Sequence, residues 1–239
     1  MSVTSPQIII DAARSVYRTD WPGRGMAPEG YYDGIAMTYA QACRDLKTGS
    51  RFVLEAAKPI QLSALDALEW YHLHPTKPQD ILHCTYALMT GLGMRESSGE
   101  PYSGMDTTNP SSNTANTAEA GLFQVSWNSH AFSKLLPDLM AVWRDLKSTW
   151  PIDPSPFFLH GISTHMSATI GSGDGADFQA ISKREPAFAA YYAAILLRSR
   201  RDHWGPLNTH AAQIMAVIDS LLDTVAKLID KESTNAVSV

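Results

Sequence analysis

The pattern of apolar and polar positions predicts a chain built mainly from helices. The clearest segment is 209–230, which carries an apolar residue every three or four positions from Ile214 to Leu228. Such a stripe is typical of a helix that packs one side on a core. Strand–helix–strand alternation is absent from the sequence, which argues against a parallel sheet.

Other segments follow the same helical period, and the loops between them are marked by glycine and proline. Residues 21–30 and 149–175 are rich in these residues and are predicted to be loops. Short strands are expected only within 97–128. The remaining helices are predicted from Pro6 onward behind Ser5, at 31–48, around 64–73, from about 80 to 94, at 131–148 with an interruption near Pro137, and from Pro186 to about Asp202.

A glutamate follows the nearly all-apolar segment from about Asp80 to Met94, which is long enough for a helix. Ile81, Leu88 and Leu92 fall on one face of this predicted helix, and Glu96, four residues beyond Leu92, lies on the same face. Burial disfavours the charged form of a carboxyl and raises its pKa, and a general acid near neutral pH must keep its proton. We therefore predict that Glu96 is a partly desolvated acid. The alternative is a solvated glutamate that only begins the next loop.

Two glycines interrupt this apolar run. Gly91 and Gly93 each disfavour a helix by roughly 1 kcal/mol relative to alanine. We interpret them as positions where a neighbouring segment packs close to the helix.

A polar segment without cations follows Glu96. Of the 22 residues from Ser97 to Ala118, 16 are Ser, Thr, Asn, Gly or Pro. Hydroxyl and amide groups suit a neutral, hydroxyl-rich ligand such as a sugar chain. The alternative is an unstructured linker, but a linker joins separable domains, and this segment leads at once into the sequence AEAGLFQVSW at 118–127.

The two sides of this polar segment together resemble the catalytic region of the lysozyme-like superfamily, and most closely that of lytic transglycosylases and goose-type lysozymes. In that family a catalytic Glu-Ser pair at a helix end precedes a variable polar segment and then Gly-Leu-(Met/Phe)-Gln. Glu96 and Ser97 match the first part, and the sequence from Gly121 to Gln124 matches the second. The direct match covers residues 95–129.

The resemblance implies a mainly α, lysozyme-like single domain over residues 1–239. A small irregular or β insert would follow the catalytic helix. We expect N-terminal helices at 1–75, a catalytic core at 76–230 and a frayed tail at 231–239, in a monomer.

The resemblance also implies cleavage of peptidoglycan between N-acetylmuramic acid and N-acetylglucosamine, with Glu96 as the general acid and without a metal or another cofactor. Glycoside hydrolysis normally uses two carboxylates, and the candidates for the second are Glu100, Asp106 and Glu119. Lytic transglycosylases need only the glutamate, because the N-acetyl group and 6-hydroxyl of the substrate complete the reaction. Their AYNAG segment is absent here, so muramidase and lytic transglycosylase activity both stay open.

Sugar-binding groups are expected around Glu96 on the same grounds. Gln124 would border the cleft, Trp127 would stack on a sugar ring, and Tyr191 or Tyr192 would supply the tyrosine that transglycosylases place near the glutamate. Core packing is the alternative for both tyrosines. The expected substrate-binding residues are Ser97, Tyr102, Gln124, Ser126, Trp127, Asn128, Tyr191 and Tyr192.

Two other functions fit the same residues. One is a glycosidase that acts on chitin or chitosan, because the superfamily spans those polymers. The other is a non-catalytic glycan-binding module of the same fold, which the ambiguous second carboxylate and the missing AYNAG segment motivate.

The net charge and the spacing of the histidines argue against two kinds of ligand, nucleic acid and metal ions. The formal net charge is −5, and the densest basic cluster is RSRRDH at 198–203, so nucleic acid is not expected as a partner. The eight histidines lack the spacing of metal ligands, so a metal site is not expected either. Cys43 and Cys84 allow one disulfide or two free thiols, and both possibilities remain open.

The sequence contains no run of 18 apolar residues, so a membrane span is not predicted. Residues 1–21 do not have the pattern of a signal peptide, because they lack a basic start and their apolar run is short. A peptidoglycan substrate would nevertheless place the protein in the periplasm or outside the cell, as a bacterial or phage enzyme.

Overall fold

Helices form nearly all of the regular structure in this computed structural model, which describes residues 3–104, 114–162 and 165–236, without the side chains of 233–236. The prediction of a mainly α protein is confirmed. Short 3-10 turns lie at Arg14–Val16, Trp127–Phe132, Ser155–Leu159 and Arg201–His203. The helices are α1 (Pro6–Ala13), α2 (Glu29–Thr48), α3 (Arg51–Ala56), α4 (Ala67–Trp70), α5 (Pro78–Ser97), α6 (Leu135–Ser148), α7 (Asp174–Arg184), α8 (Pro186–Leu197), α9 (Gly205–Asn208) and α10 (Ala216–Ala236).

A small hairpin lies before α2. Strands β1 (Asp20–Trp21) and β2 (Gly25–Met26) pair antiparallel. Gly23 and Gly25 have φ angles of 73° and 74°, a conformation that glycine adopts without steric cost, and they allow the tight turn between the strands. The expectation of strands only within 97–128 is therefore wrong. In the described part of that range, the β-type pairing is the isolated bridge between Ala120 and Val125.

The helix boundaries differ from the predicted ones at several points. Helix α3 was not predicted, and α7 begins inside the segment 149–175, which was predicted to be a loop, and continues beyond it. Helix α10 begins at Ala216 and continues to Ala236, through most of the tail that was predicted to fray. The carboxylate of Glu232 accepts hydrogen bonds of 3.0 and 2.7 Å from the Arg44 guanidinium on α2, which holds this end of α10 on the domain.

Helix α5 occupies the centre of the fold and packs on α2, α3, α8, α9 and α10. Every residue from Thr85 to Met94 is buried, so this stretch is covered on all sides. The predicted one-sided apolar stripe was too narrow, because the smaller residues between its members are also covered by neighbouring helices.

The two glycines of α5 allow this enclosure. A Cβ atom on Gly91 would lie 2.0 Å from the carbonyl oxygen of Gln213, and one on Gly93 would lie 2.4 Å from the hydroxyl of Tyr31. Both distances are far shorter than a van der Waals contact. The expected close approach of neighbouring segments at Gly91 and Gly93 is therefore confirmed.

A buried ion pair joins the end of α8 to the start of α4. The Arg198 guanidinium donates to the Asp66 carboxylate at 2.7 Å, and both side chains are fully buried. Asp66 also caps α4, because it accepts a hydrogen bond of 3.0 Å from the backbone N–H of Leu68. One carboxylate thus fixes both the geometry of a helix start and the position of α8.

The two cysteines are free thiols, Cys43 on α2 and Cys84 on α5. Burial raises the pKa of the Cys43 thiol to about 12 and also raises that of Cys84. Of the two alternatives that the sequence left open, the structure has the free thiols. Among the described residues, no helix is both long and apolar enough to cross a bilayer.

We expect Arg198→Met to lower the free energy of unfolding by about 3–5 kcal/mol, because it leaves the buried Asp66 carboxylate without its partner. Arg51→Met is the matched control, since Arg51 pairs with Asp138 at 2.9 Å on the surface, and its effect should stay within about 1 kcal/mol. Urea denaturation of both variants measures the difference. Equal losses of stability would contradict the role given to the buried pair.

Candidate active site

Glu96 lies in the last turn of α5, where the covered part of the helix meets solvent. Ser98 adopts the left-handed conformation, with a φ of 55°, and ends the helix two residues later. The pKa of the Glu96 carboxyl is raised to about 7, because burial and, to a smaller extent, the negative charge of Glu119 outweigh the lowering by the positive charge of Arg24. The carboxyl is therefore desolvated and holds its proton over part of the neutral range.

Ser97 ties the end of α5 to the sequence GLFQ. Its hydroxyl lies 2.8 Å from the carbonyl oxygen of Leu122 and 3.1 Å from that of Gly93. The backbone around Gly121 and Leu122 is thus held beside the end of α5 that carries Glu96. Both observed hydrogen bonds of the Ser97 hydroxyl are therefore made to the protein backbone.

The sequence GLFQ forms a tight turn between Ala120 and Val125, whose backbones pair. Gly121 has a φ of 75°, and a Cβ atom there would lie 2.7 Å from the carbonyl oxygen of Ser182 on α7. Gln124 has a φ of 45°, and its side-chain amide donates to the Gly121 carbonyl at 2.8 Å. Gln124 is buried and stabilises this turn, so its observed amide contact lies within the turn.

A buried tryptophan holds the turn from behind. The indole N–H of Trp204 donates to the carbonyl oxygen of Phe123 at 2.8 Å, and a Cβ atom on Gly93 would lie 3.1 Å from the Phe123 ring. The turn is therefore fixed both to α5 and to the segment before α9. From the sequence, HWGPLN at 203–208 could be a cleft turn or, as we favoured, a connector between helices, and no local pattern predicts this contact.

The chain that leaves α5 forms the next part of the site. The carbonyl oxygen of Ser103 accepts a hydrogen bond of 2.9 Å from the Gly121 N–H, which places this segment beside the turn. The carbonyl oxygen of Tyr102 accepts hydrogen bonds from the N–H and the hydroxyl of Ser167, at 3.2 and 2.8 Å. The Tyr102 side chain is half-buried. Asp106, one of the predicted carboxylates, lies outside the described residues.

Helix α7 supports the segment around Ser167 with a buried lysine. The amino group of Lys183 donates to the carbonyl oxygens of Ser167 and Ala168 at 2.9 and 3.0 Å. Burial lowers the pKa of Lys183. Gln179, also on α7, donates to the carbonyl of Ala115 at 2.9 Å. Sequence reasoning missed both residues because α7 itself was not predicted.

Two of the residues after the turn are more buried than expected for groups that bind a sugar. Trp127 is buried and stacks on His130, with ring centroids 4.4 Å apart. Ser126 is also buried, and its hydroxyl donates to the side-chain oxygen of Asn128 at 2.7 Å. Of these three predicted sugar-binding residues, Asn128 is exposed, while the Trp127 ring packs in the core in place of the expected stacking on a sugar.

The two tyrosines of α8 are core residues. The Tyr191 hydroxyl donates to the Asp45 carboxylate at 2.9 Å, and the Tyr192 hydroxyl shares a hydrogen bond of 2.9 Å with the Ser129 hydroxyl. Both rings are 2% exposed or less. The expected contact of either tyrosine with substrate is therefore replaced by packing, because α8 is covered along its whole length.

Charged groups from three parts of the chain surround Glu96. Glu119 is exposed and precedes the turn, and Glu100 follows the helix end, where burial raises its pKa. Arg24 comes from the β1–β2 hairpin and donates a hydrogen bond to the carbonyl oxygen of Arg95. The sequence predicted a loop at Arg24 but contains no signal that this loop meets the end of α5.

Two surface cavities lie outside this group of residues. One of about 620 Å³ lies between α6 and α7, and Trp143 and Lys147 are part of its lining. Another of about 410 Å³ lies near the start of α2, where the Asp33 carboxylate is 3.3 Å from Nδ1 of His160. Neither is lined by a predicted site residue, so neither belongs to the site around Glu96.

Comparisons of the chain with protein-family models, curated protein sequences and solved structures found no match. Within the described residues, no group of three or more His, Cys, Asp or Glu side chains is arranged to hold a metal ion.

We expect Glu96→Gln to remove a pH-dependent loss of stability. The pKa of this carboxyl is about 7 in the folded protein against 4.5 as the ordinary value, so the folded state binds the proton more tightly than the unfolded state. Ionisation therefore weakens folding as the pH rises from about 4.5 to about 7. The variant should be more stable than the wild type above pH 7, and the difference should shrink below pH 4.5.

Urea denaturation at pH 4.5 and pH 8 measures this difference. Glu55→Gln on α3 is the control, because Glu55 pairs with Lys58 away from this site, and it should keep the wild-type dependence on pH. The same dependence in Glu96→Gln would contradict the burial of the Glu96 carboxyl.

Proposed function

We propose that the protein is a glycosidase of lysozyme-like fold that cleaves the glycan chain of peptidoglycan, with Glu96 as the general acid. The observation that carries the proposal is the raised pKa of a half-buried carboxyl, about 7, at a helix end beside the GLFQ turn. The resemblance of residues 95–129 to lytic transglycosylases and goose-type lysozymes supports it. The end of α5 and the GLFQ turn are the two halves of that resemblance, and the Ser97 hydroxyl joins them by its hydrogen bond to the Leu122 carbonyl.

The chemistry follows from the protonation of Glu96. A protonated carboxyl can donate its proton to the glycosidic oxygen as the bond to the anomeric carbon breaks, which makes the leaving group a neutral alcohol. The sugar that remains develops positive charge in the transition state. A general acid of this kind typically contributes ~10²–10⁴ to the rate. The resulting carboxylate can then accept a proton from the water that completes hydrolysis.

Glu119 is the better of the described candidates for a second carboxylate. Its negative charge acts on Glu96, so the two groups are electrostatic neighbours, and a carboxylate there can stabilise the positive charge of the transition state or activate water. Glu100 shows no such effect on Glu96. Asp106 stays a candidate by its sequence position alone.

The structural role of the α8 tyrosines supports a hydrolase rather than a lytic transglycosylase. Lytic transglycosylases place a tyrosine near the glutamate, and Tyr191 and Tyr192 were the candidates for that role. Their hydroxyls bond to Asp45 and Ser129 in the core. We therefore propose a muramidase, acting where peptidoglycan is found, in the periplasm or outside a bacterial cell.

We expect Glu96→Gln to lower the release of soluble fragments from purified peptidoglycan sacculi by at least ~10²-fold, because the amide cannot donate the proton. Glu55→Gln on α3 should keep the wild-type rate, and circular dichroism should show that both variants are folded. A wild-type rate of release by Glu96→Gln would exclude the proposed role of Glu96.

Mass spectrometry of the fragments identifies the reaction. Reducing muropeptides are the expected product, whereas anhydro-muropeptides would indicate a lytic transglycosylase. Sedimentation with sacculi without any release would indicate a glycan-binding module. Release of oligomers from chitin or chitosan, but not from sacculi, would assign the alternative substrate.

We expect Glu119→Gln to lower the rate of hydrolysis and also to change its dependence on pH. Loss of the negative charge lowers the pKa of Glu96, so the acid loses its proton at lower pH, and the activity should decline at lower pH than in the wild type. The pH profile of fragment release measures both effects, with Glu55→Gln as the control. An unchanged profile would show that Glu119 does not act on Glu96.

A further inference from the structure

We propose that Arg24, whose guanidinium reaches from the turn of the β1–β2 hairpin to the backbone at the end of α5, is a positioning residue that acts through Glu96. The inference rests on the proposed function for its catalytic meaning, but the interaction itself can be measured without any substrate. Neither the sequence pattern nor the resemblance to lysozyme-like enzymes includes a cation at this place.

The hairpin meets α5 at the residue before the acid. The Arg24 guanidinium donates a hydrogen bond to the carbonyl oxygen of Arg95, and a Cβ atom on Gly23 would lie 3.7 Å from the Arg95 guanidinium. Carbonyl groups in the last turn of a helix are partly unpaired and carry partial negative charge, so a cation is favoured there. Arg24 thus both holds the hairpin on the helix end and brings positive charge to the neighbour of Glu96.

The hairpin is built so that it presents this cation in one position. The N–H of Arg24 donates to the carbonyl oxygen of Trp21 at 2.8 Å and closes the turn. Trp21 is buried, and its indole N–H donates to the hydroxyl of Tyr32 on α2 at 2.9 Å. The turn is therefore anchored on α2 at its base and on α5 at Arg24.

Other charged groups near the end of α5 do not replace Arg24. The Arg95 guanidinium, on the same helix, donates to the carbonyl oxygen of Ala211 at 2.7 Å, on the side of the segment before α10. The Lys183 amino group on α7 donates to the segment around Ser167. Among the described acidic groups, Glu119 acts on Glu96 from before the GLFQ turn, and Glu100 follows the helix end.

The balance of these charges matters for an acid that must also act as a base. Burial and Glu119 favour the protonated carboxyl, whereas Arg24 favours the carboxylate. A carboxyl with a very high pKa would donate its proton poorly. General acid–base catalysis is most efficient when the pKa lies near the working pH. Arg24 opposes the rise in the pKa of Glu96 that burial and Glu119 cause.

The test is a titration of the Glu96 carboxyl by NMR in protein labelled with ¹³C at the glutamate carboxyls, with the signal assigned by its loss in Glu96→Gln. Arg24→Gln should shift the titration of Glu96 to higher pH, because the opposing positive charge is lost. Arg24→Lys should remain close to the wild type, since it keeps the charge. Arg18→Gln is the control, because Arg18 is also an exposed cation before the hairpin, and it should leave the titration unchanged.

The pH profile of fragment release provides a second measurement. A general acid is needed in its protonated form, so the decline of activity at high pH should move upward in Arg24→Gln. Thermal melting shows whether each variant is folded. An unchanged Glu96 titration in folded Arg24→Gln would overturn the proposal, and so would equal shifts in Arg24→Gln and Arg24→Lys.

The titration separates this proposal from the proposed function. A shift in Arg24→Gln, in a protein that releases no fragments from sacculi, would support the coupling of Arg24 to Glu96 and refute the glycosidase. Fragment release that depends on Glu96, together with an unshifted titration in Arg24→Gln, would support the glycosidase and refute the coupling of Arg24 to Glu96.

Discussion

The enclosure of α5 by its neighbours is the constraint on which the rest of the structure depends. The helix can be covered on all sides only because Gly91 and Gly93 leave room for the backbone at Gln213 and the hydroxyl of Tyr31. With its middle fixed in this way, the last turn of the helix has one position relative to the core. Glu96 lies at the boundary between protein and solvent because the enclosure ends just before it.

Backbone groups of the GLFQ turn are hydrogen-bonded to other parts of the fold. The carbonyl oxygens of Leu122 and Phe123 accept from Ser97 and Trp204, and the Gly121 N–H donates to Ser103. Such satisfied contacts favour a single backbone geometry, because each alternative would leave a buried polar group without a partner. The Glu96 carboxyl thus lies at the end of a helix that Ser97 ties to a turn of fixed geometry.

The sequence predicted those features that depend on residues near each other in the chain. Helical spacing located Glu96 at the end of an apolar run, and the glycines of α5 indicated close packing. Trp204 and Arg24 approach the site from distant segments, and no local pattern predicts such contacts. Trp127 was expected in the cleft because aromatic rings suit sugars, and Tyr191 or Tyr192 because transglycosylases place a tyrosine near the glutamate. The same rings suit a core, and only the packing distinguishes the two.

The glycine pair also determines how far this arrangement could be transferred to another protein. A helical scaffold that received only the Glu-Ser pair and the GLFQ turn would keep the side chains but lose the depth at which they lie. A designer would have to transfer the two glycines together with the segments that fill the space above them, at Gln213 and Tyr31. The smallest set of residues that could be transferred is therefore discontinuous in the chain. The two glycines, which have no side chains, set its geometry.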